Sequence, residues 1–145
     1  MFMKYSMIVV LFILILGTNN SYSQCRSFAK EICKPKLENY AHDGNYNGVV
    51  LNVGEQVELH KAFFGGQKYR MVVCPEEQLP PVHFKVMNSD LVVLFDNKDE
   101  GYIGQYDFEL QKSTTLIISM EFVKMGEDIN PSVSGCVALL FGMKL

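Results

Sequence analysis

From residue 47 to the end of the chain, apolar and polar residues alternate with a period of two. Successive side chains of a strand point to opposite faces, so this pattern predicts half-buried strands. The first is Val49-Val50-Leu51-Asn52-Val53, broken by Gly54. Residues 55–63 place Val57, Leu59 and Phe63 on one face and Glu58, His60 and Ala62 on the other, with Lys61 interrupting the apolar side. Gly65-Gly66 supplies the positive φ of a tight reversal into the next strand, 67–74. There Tyr69, Met71 and Val73 lie opposite Arg70, Val72 and Cys74. Three prolines among residues 75–81 exclude a central strand and predict a loop. Val82, Phe84 and Val86 alternate with His83 and Lys85. Residues 91–95 are continuously apolar, as a strand buried on both faces would be. A polar hairpin loop, 96–101, leads to Tyr106, Phe108 and Leu110 alternating with Asp107 and Glu109. Residues 113–123 form the longest strand candidate. A loop over 125–134 precedes a last strand, 135–143, with Val137, Leu139 and Phe141 opposite Cys136, Ala138 and Leu140.

About eight strands at hairpin-scale spacing predict an all-β fold, an antiparallel β-sandwich of jelly-roll type. No helical pattern long enough for a crossover separates them. The only helical signal lies ahead of the strands, over 24–40, where Phe28 and Ile32 recur at helical spacing. Ser27 is placed to cap its start, and Pro35 is expected to end it by excluding Lys34 from helical geometry. His42-Asp43-Gly44-Asn45 reads as a turn. The domain reading is a helical arm over 24–46 and a β-sandwich over 47–145.

The first 23 residues have the layout of a cleaved secretory signal. Lys4 is followed by ten uninterrupted apolar residues, Met7 to Leu16, and by small residues Ser21 and Ser23 before a cut at Gln24. The run is short of the roughly 20 residues of a spanning helix, so no membrane span is expected after cleavage. Export to the periplasm, cell surface or medium follows. What remains is 122 residues, enough for one domain with its own core. Its net charge is −4 and its basic residues are scattered, which excludes a phosphate-binding surface and hence a nucleic-acid partner.

Four cysteines, Cys25, Cys33, Cys74 and Cys136, in an exported chain imply two disulfides, and four allow three pairings. Their wide spacing does not fit a zinc site. A helix would hold Cys25 and Cys33 ~12 Å apart, beyond disulfide reach. Each is therefore expected to staple the arm to Cys74 or Cys136, stabilising the fold by ~3–5 kcal/mol in the chain-entropy model.

Several segments carry a resemblance to known families. GQKYRMVV, LVVLFDN, YDFEL, TTLIISM and SGCVALLFG, spread over 47–145, resemble a pre-peptidase C-terminal domain, a jelly-roll-like module of secreted bacterial proteins. That module normally trails an enzyme, whereas here it would fill the mature chain. Residues 25–30, 65–70, Val73-Cys74 and 135–138 resemble a family of small exported bacterial proteins of unassigned function, cysteines included. That second resemblance implies no catalytic residue, and no cofactor is expected.

Candidate chemistry is sparse. His42, His60 and His83 fall in a turn and on the non-core sides of two strands, without metal-site spacing, and are expected to be exposed. The loop 96–101 superficially resembles a calcium loop, but Lys98 stands at a position that needs an oxygen ligand. Asp96, Asp99 and Asp107 are the only other calcium candidates there. No G-x-S-x-G, G-x-G-x-x-G or Walker sequence is present. Tyr40, Tyr46, Tyr102 and Tyr106 are candidates to stack on a sugar face, and Tyr102 and Tyr106 flank one loop, making them the candidate ligand surface. The reading that follows is a non-catalytic exported sandwich, an envelope accessory or protein-binding subunit. Its contact regions are expected on the loops 75–81 and 125–134. A carbohydrate-binding module and an unrecognised hydrolase are the alternatives.

Overall fold

The computed structural model describes residues 20–124, 126 and 130–145. The apolar run of the expected leader, and Met125 and residues 127–129 of the expected contact loop, lie outside the described residues. The described residues form an antiparallel β-sandwich with a short helix ahead of it. The first sheet contains β1 (Ala41–His42), β2 (Asn47–Asn52), β4 (Lys68–Pro75), β7 (Gln105–Glu109) and β9 (Ser134–Met143). Both β1 and β2 pair with one side of β9, β4 pairs with the other, and β7 forms the far edge. The second sheet has the order β3 (Gln56–Phe63), β8 (Thr114–Phe122), β5 (Val82–Met87), β6 (Val93–Asp96).

The alternation read from the sequence sets the core. Met71 and Val73 of β4 and Val137, Leu139 and Phe141 of β9 meet Phe84, Val86, Leu116, Ile118, Met120 and Phe122 of the facing sheet. Burying each of the largest of these stabilises the fold by ~2–3 kcal/mol. Val72, Cys74, Ala138 and Leu140, on the opposite face of the first sheet, are covered by Ala29, Cys33 and Leu37 of the N-terminal arm. Strands β4 and β9 are thus buried on both sides, and the outer face of the second sheet has no such cover among the described residues. Two disulfides fix the arm: Cys25 to Cys136 and Cys33 to Cys74, with Cα atoms 5.3 and 5.9 Å apart. Arg70 adds a polar anchor. It pairs with both carboxylate oxygens of Asp107 at 2.8 and 2.7 Å and with Glu38 of the arm at 2.8 Å, and its guanidinium lies 4.6 Å from the Tyr40 ring centroid.

The arm is longer and more helical than expected. Helix α1 (Asn20–Phe28) runs through Ser27, which is therefore interior rather than a cap. A wide π turn, Ala29–Cys33, and a 3-10 turn, Lys34–Leu37, continue the winding past Pro35. Lys34 remains helical at φ −54°, ψ −40°, bonding back to the Ala29 carbonyl, so Pro35 starts the next turn instead of stopping the helix. This position suits proline, because a first-turn N–H has no partner to lose. Strand β1 leads into the expected turn, overlapping it at His42, and brings the count to nine strands among the described residues.

Three strand readings need correction. Gly65-Gly66 does not close a hairpin: β3 and β4 belong to opposite sheets, and the glycines carry the chain round the sandwich corner. Gly66 has φ 75°, and a Cβ on Gly65 would stand 2.7 Å from the Lys112 backbone. Residues 96–101 also pass between sheets, from β6 to β7, through a 3-10 turn, Asn97–Glu100. Residues 91–95 are not buried on both faces. Strand β6 is an edge, with a register shift opposite Val86/Met87, and Leu91, Val92, Val93 and Leu94 are 46–66% exposed. A minor difference is Pro75, which ends β4 rather than opening the loop.

The two sides of the sandwich close differently. At the β6/β7 side Phe95 stacks on Tyr106 at 4.0 Å and Tyr106 on Phe108 at 5.3 Å. At the β2/β3 side Lys61 resolves its anomalous place in an apolar stripe. Its aliphatic stem follows the stripe, its ammonium reaches Asp43 at 2.8 Å, and it stands 5.1 Å from the Phe141 ring centroid.

Candidate functional site

Where the uncovered face of the second sheet meets the β6/β7 side, neighbouring strands bring charged groups together. Antiparallel register sets Glu121 of β8 beside His83 of β5, and Asp96 of β6 beside Lys85. His83 Nε2 lies 2.7 Å from Asp96 Oδ1, and Nδ1 lies 3.4 Å from Glu121 Oε1. Burial pushes the Asp96 carboxyl upward, but the Lys98 N–H, the His83 hydrogen bond and the charges of His83 and Lys85 outweigh it and hold it below its ordinary value. The Tyr102 ring meets His83 edge-on at 5.9 Å. With Lys98, Lys124, Phe122 and Val123 these side chains line an open, mainly polar depression of about 390 Å³.

The loop that carries Lys98 and Tyr102 is held rigidly. Asn97 is fully buried. Its Oδ1 accepts from the Phe84 N–H at 2.9 Å, and its Nδ2 donates to the carbonyls of Val82 at 2.9 Å and Ile103 at 3.0 Å. Strand β6 pairs with β5 only from Lys85 onward, so the Asn97 amide acts as the missing strand for Val82 and Phe84. Asp96 caps the turn by accepting from the Lys98 N–H, and the Tyr102 N–H donates to the Asn97 carbonyl at 2.8 Å. Tyr102 is left at φ 61°, a left-handed conformation that costs a non-glycine residue ~1 kcal/mol or more. Strain held by over-determined contacts on an exposed loop marks a pre-organised surface.

Searches of protein-family models and of curated proteins find no match to the chain. Four chains of solved structures are similar. Among them is the crystal structure of Aeromonas hydrophila PliG, a periplasmic lysozyme inhibitor of g-type lysozyme. The likeness has a TM-score of 0.52 and 12% sequence identity, and covers 72% of this chain and 87% of that one. It is a likeness of fold.

The remaining expected residues fall in different places. Tyr102 and Tyr106 are not brought together. Tyr102 lines the depression, whereas Tyr106 turns inward, stacked between Phe95 and Phe108, where burial raises its phenol pKa. Tyr40 lies under Arg70, and Tyr46 tilts against His42 at 4.5 Å. Of the three histidines expected to be exposed, only His60 is, with 60% of its side chain accessible. His42 is 6% and His83 15% accessible, because Tyr46 and the carboxylate pair respectively cover them. Asp96 and Asp107 are engaged by His83 and Arg70, and among the described residues no cluster of three His, Cys, Asp or Glu is placed to hold a metal. Among the described residues, the depression brings together a histidine between carboxylates, two lysines and an aromatic ring, groups that can engage a ligand by hydrogen bonding and charge. Asn97, Glu121 and Lys124 had no signal in the sequence, since buried and exposed polar residues in loops and strand ends read alike.

Proposed function

We propose that the protein is an exported, non-catalytic protein-binding module, and that its partner is a secreted cell-wall-cleaving enzyme of the lysozyme class, which it inhibits. The observation that carries this reading is the fold likeness to a periplasmic lysozyme inhibitor over most of both chains. Two disulfides fit an oxidising compartment. The rigid turn 97–102 fits a module that binds with little ordering cost. The test is direct. Purified, disulfide-bonded protein lacking residues 1–23 is titrated into goose-type, chicken-type and invertebrate-type lysozymes clearing a cell-wall suspension, with calorimetry for binding. Stoichiometric inhibition of one type is expected. Failure to bind or inhibit every type would remove the reading.

Tyr102 beside a polar depression supports a second reading, a carbohydrate-binding module. In that case peptidoglycan fragments would raise the melting temperature of the wild type but not of Tyr102→Ala.

A further inference from the structure

The apolar surface of the protein is unevenly distributed. Nine large hydrophobic residues are exposed among those described, and five of them, Leu91, Val92, Val93, Leu94 and Ile103, come from one stretch along the β6/β7 side. Soluble proteins rarely concentrate exposed apolar residues in this way without a use for them. An unpaired apolar edge strand is otherwise an aggregation hazard. Charge is unevenly distributed too. Residues 88–110 hold six acids against one lysine, Lys98, while the whole chain has a net charge of −3. Two of the six are engaged within the fold, Asp96 by His83 and Lys85 and Asp107 by Arg70. Asp90, Asp99, Glu100 and Glu109 are exposed and form no ion pair with a described residue.

Flanking charges on an apolar strand can serve only to keep copies apart. That role asks for charge of either sign, close to the strand. Here the uncompensated charge is predominantly acidic, four carboxylates against the single lysine Lys98. It extends beyond β6 onto the turn and onto β7, and it surrounds a loop that Asn97 holds in place. An apolar centre with a charged rim is the anatomy of a protein interface, and a rim predominantly of one sign selects its partner and steers its approach.

We propose that the β6/β7 edge is the docking surface of this protein and that it takes a basic protein. The apolar strip 91–94 with Ile103 forms the centre of the contact. Asp90, Asp99, Glu100 and Glu109 meet lysines and arginines of the partner. This inference rests on the lysozyme-binding reading above and names the surface and the charge of the partner within it.

The experiment measures binding of immobilised wild type, Asp99→Lys/Glu100→Lys and Val92→Ser/Leu94→Ser to a panel of purified lysozymes of basic to acidic net charge, from low to high salt. All substituted side chains are exposed, and thermal melts establish that both variants fold. The expected result is that the wild type binds basic members, more weakly as salt rises. The lysine variant should bind on the order of tenfold more weakly at low salt, with a flatter salt dependence. The serine variant should bind more weakly at every salt concentration. Binding of a lysozyme that neither variant affects, binding independent of salt, or preference for acidic members would overturn the docking surface while leaving the lysozyme reading standing. A wild type that binds no member would remove both.

Discussion

Replacing Asn97 with alanine should destabilise the protein more than a loop substitution ordinarily does. The side chain is fully buried and makes three hydrogen bonds to backbone groups. The bond to the Ile103 carbonyl is only part-buried, so water can replace it at little cost. The Phe84 N–H and the Val82 carbonyl are buried and would be left without a partner. Each unsatisfied buried group costs ~1–3 kcal/mol, so the pair costs ~4 kcal/mol. For a domain of this size that lowers the melting temperature by roughly 10–20 °C. Asn97→Asp keeps the acceptor for Phe84 but faces two carbonyls without a donor, so it should be no more stable than the alanine variant at neutral pH. The assay is urea unfolding and thermal melting of both variants with disulfides intact. If Asn97→Ala lies within ~1 kcal/mol of wild type, the Asn97 amide is not standing in for a strand, and the argument for a pre-organised turn fails with it.

Three further outcomes follow from the structure. Asp43 and Asp96 are both held below their ordinary value of 3.8, Asp43 by Lys61 and the Asn45 N–H against the opposing effect of burial. A depressed folded pKa stabilises the fold above the unfolded value and is lost as pH falls through the folded one. Stability should therefore drop below about pH 4, less steeply in Asp43→Asn and Asp96→Asn, and parallel acid-unfolding curves for wild type and variants would contradict this. Removing the Cys33–Cys74 bridge as a double alanine variant opens a link over 41 residues and should cost ~4 kcal/mol. It should also free the arm, read as faster amide exchange over 29–37. Gly65→Ala should lower the melting temperature, because a Cβ on Gly65 would stand 2.7 Å from the Lys112 backbone. A melting temperature unchanged from wild type would show that the corner relaxes freely.

The strands were legible where one face is buried and the other is not. The alternation of 82–87 and 105–109 survives folding because the code for inside and outside has the same period as the strand. Sheet membership was not legible. Gly65-Gly66 has the same local chemistry whether it closes a hairpin or turns a corner, and only the long-range pairing of β3 with β8 and β4 with β9 decides it. The run 91–95 misled for a related reason, since an apolar strand reads alike at the centre of a sheet and at its rim. At the candidate site Tyr102 was visible as an aromatic beside a loop. Its partner His83 was visible as a histidine but expected to be exposed, and its anchor Asn97 gave no signal, because burial of a polar side chain depends on which loop covers it.

Strand β9 lies at the middle of its sheet, between β4 on one side and β1 and β2 on the other, and Cys136 on it bonds to Cys25 across 111 residues. A chain emerging from a ribosome or an export channel therefore lacks the strip that its earlier strands must pair with until β9 itself is out. Until then β2 and β4 have no neighbour between them, and the arm has no finished surface to settle on. The native sandwich cannot assemble before β9 is present, and neither can the Cys25–Cys136 bridge close.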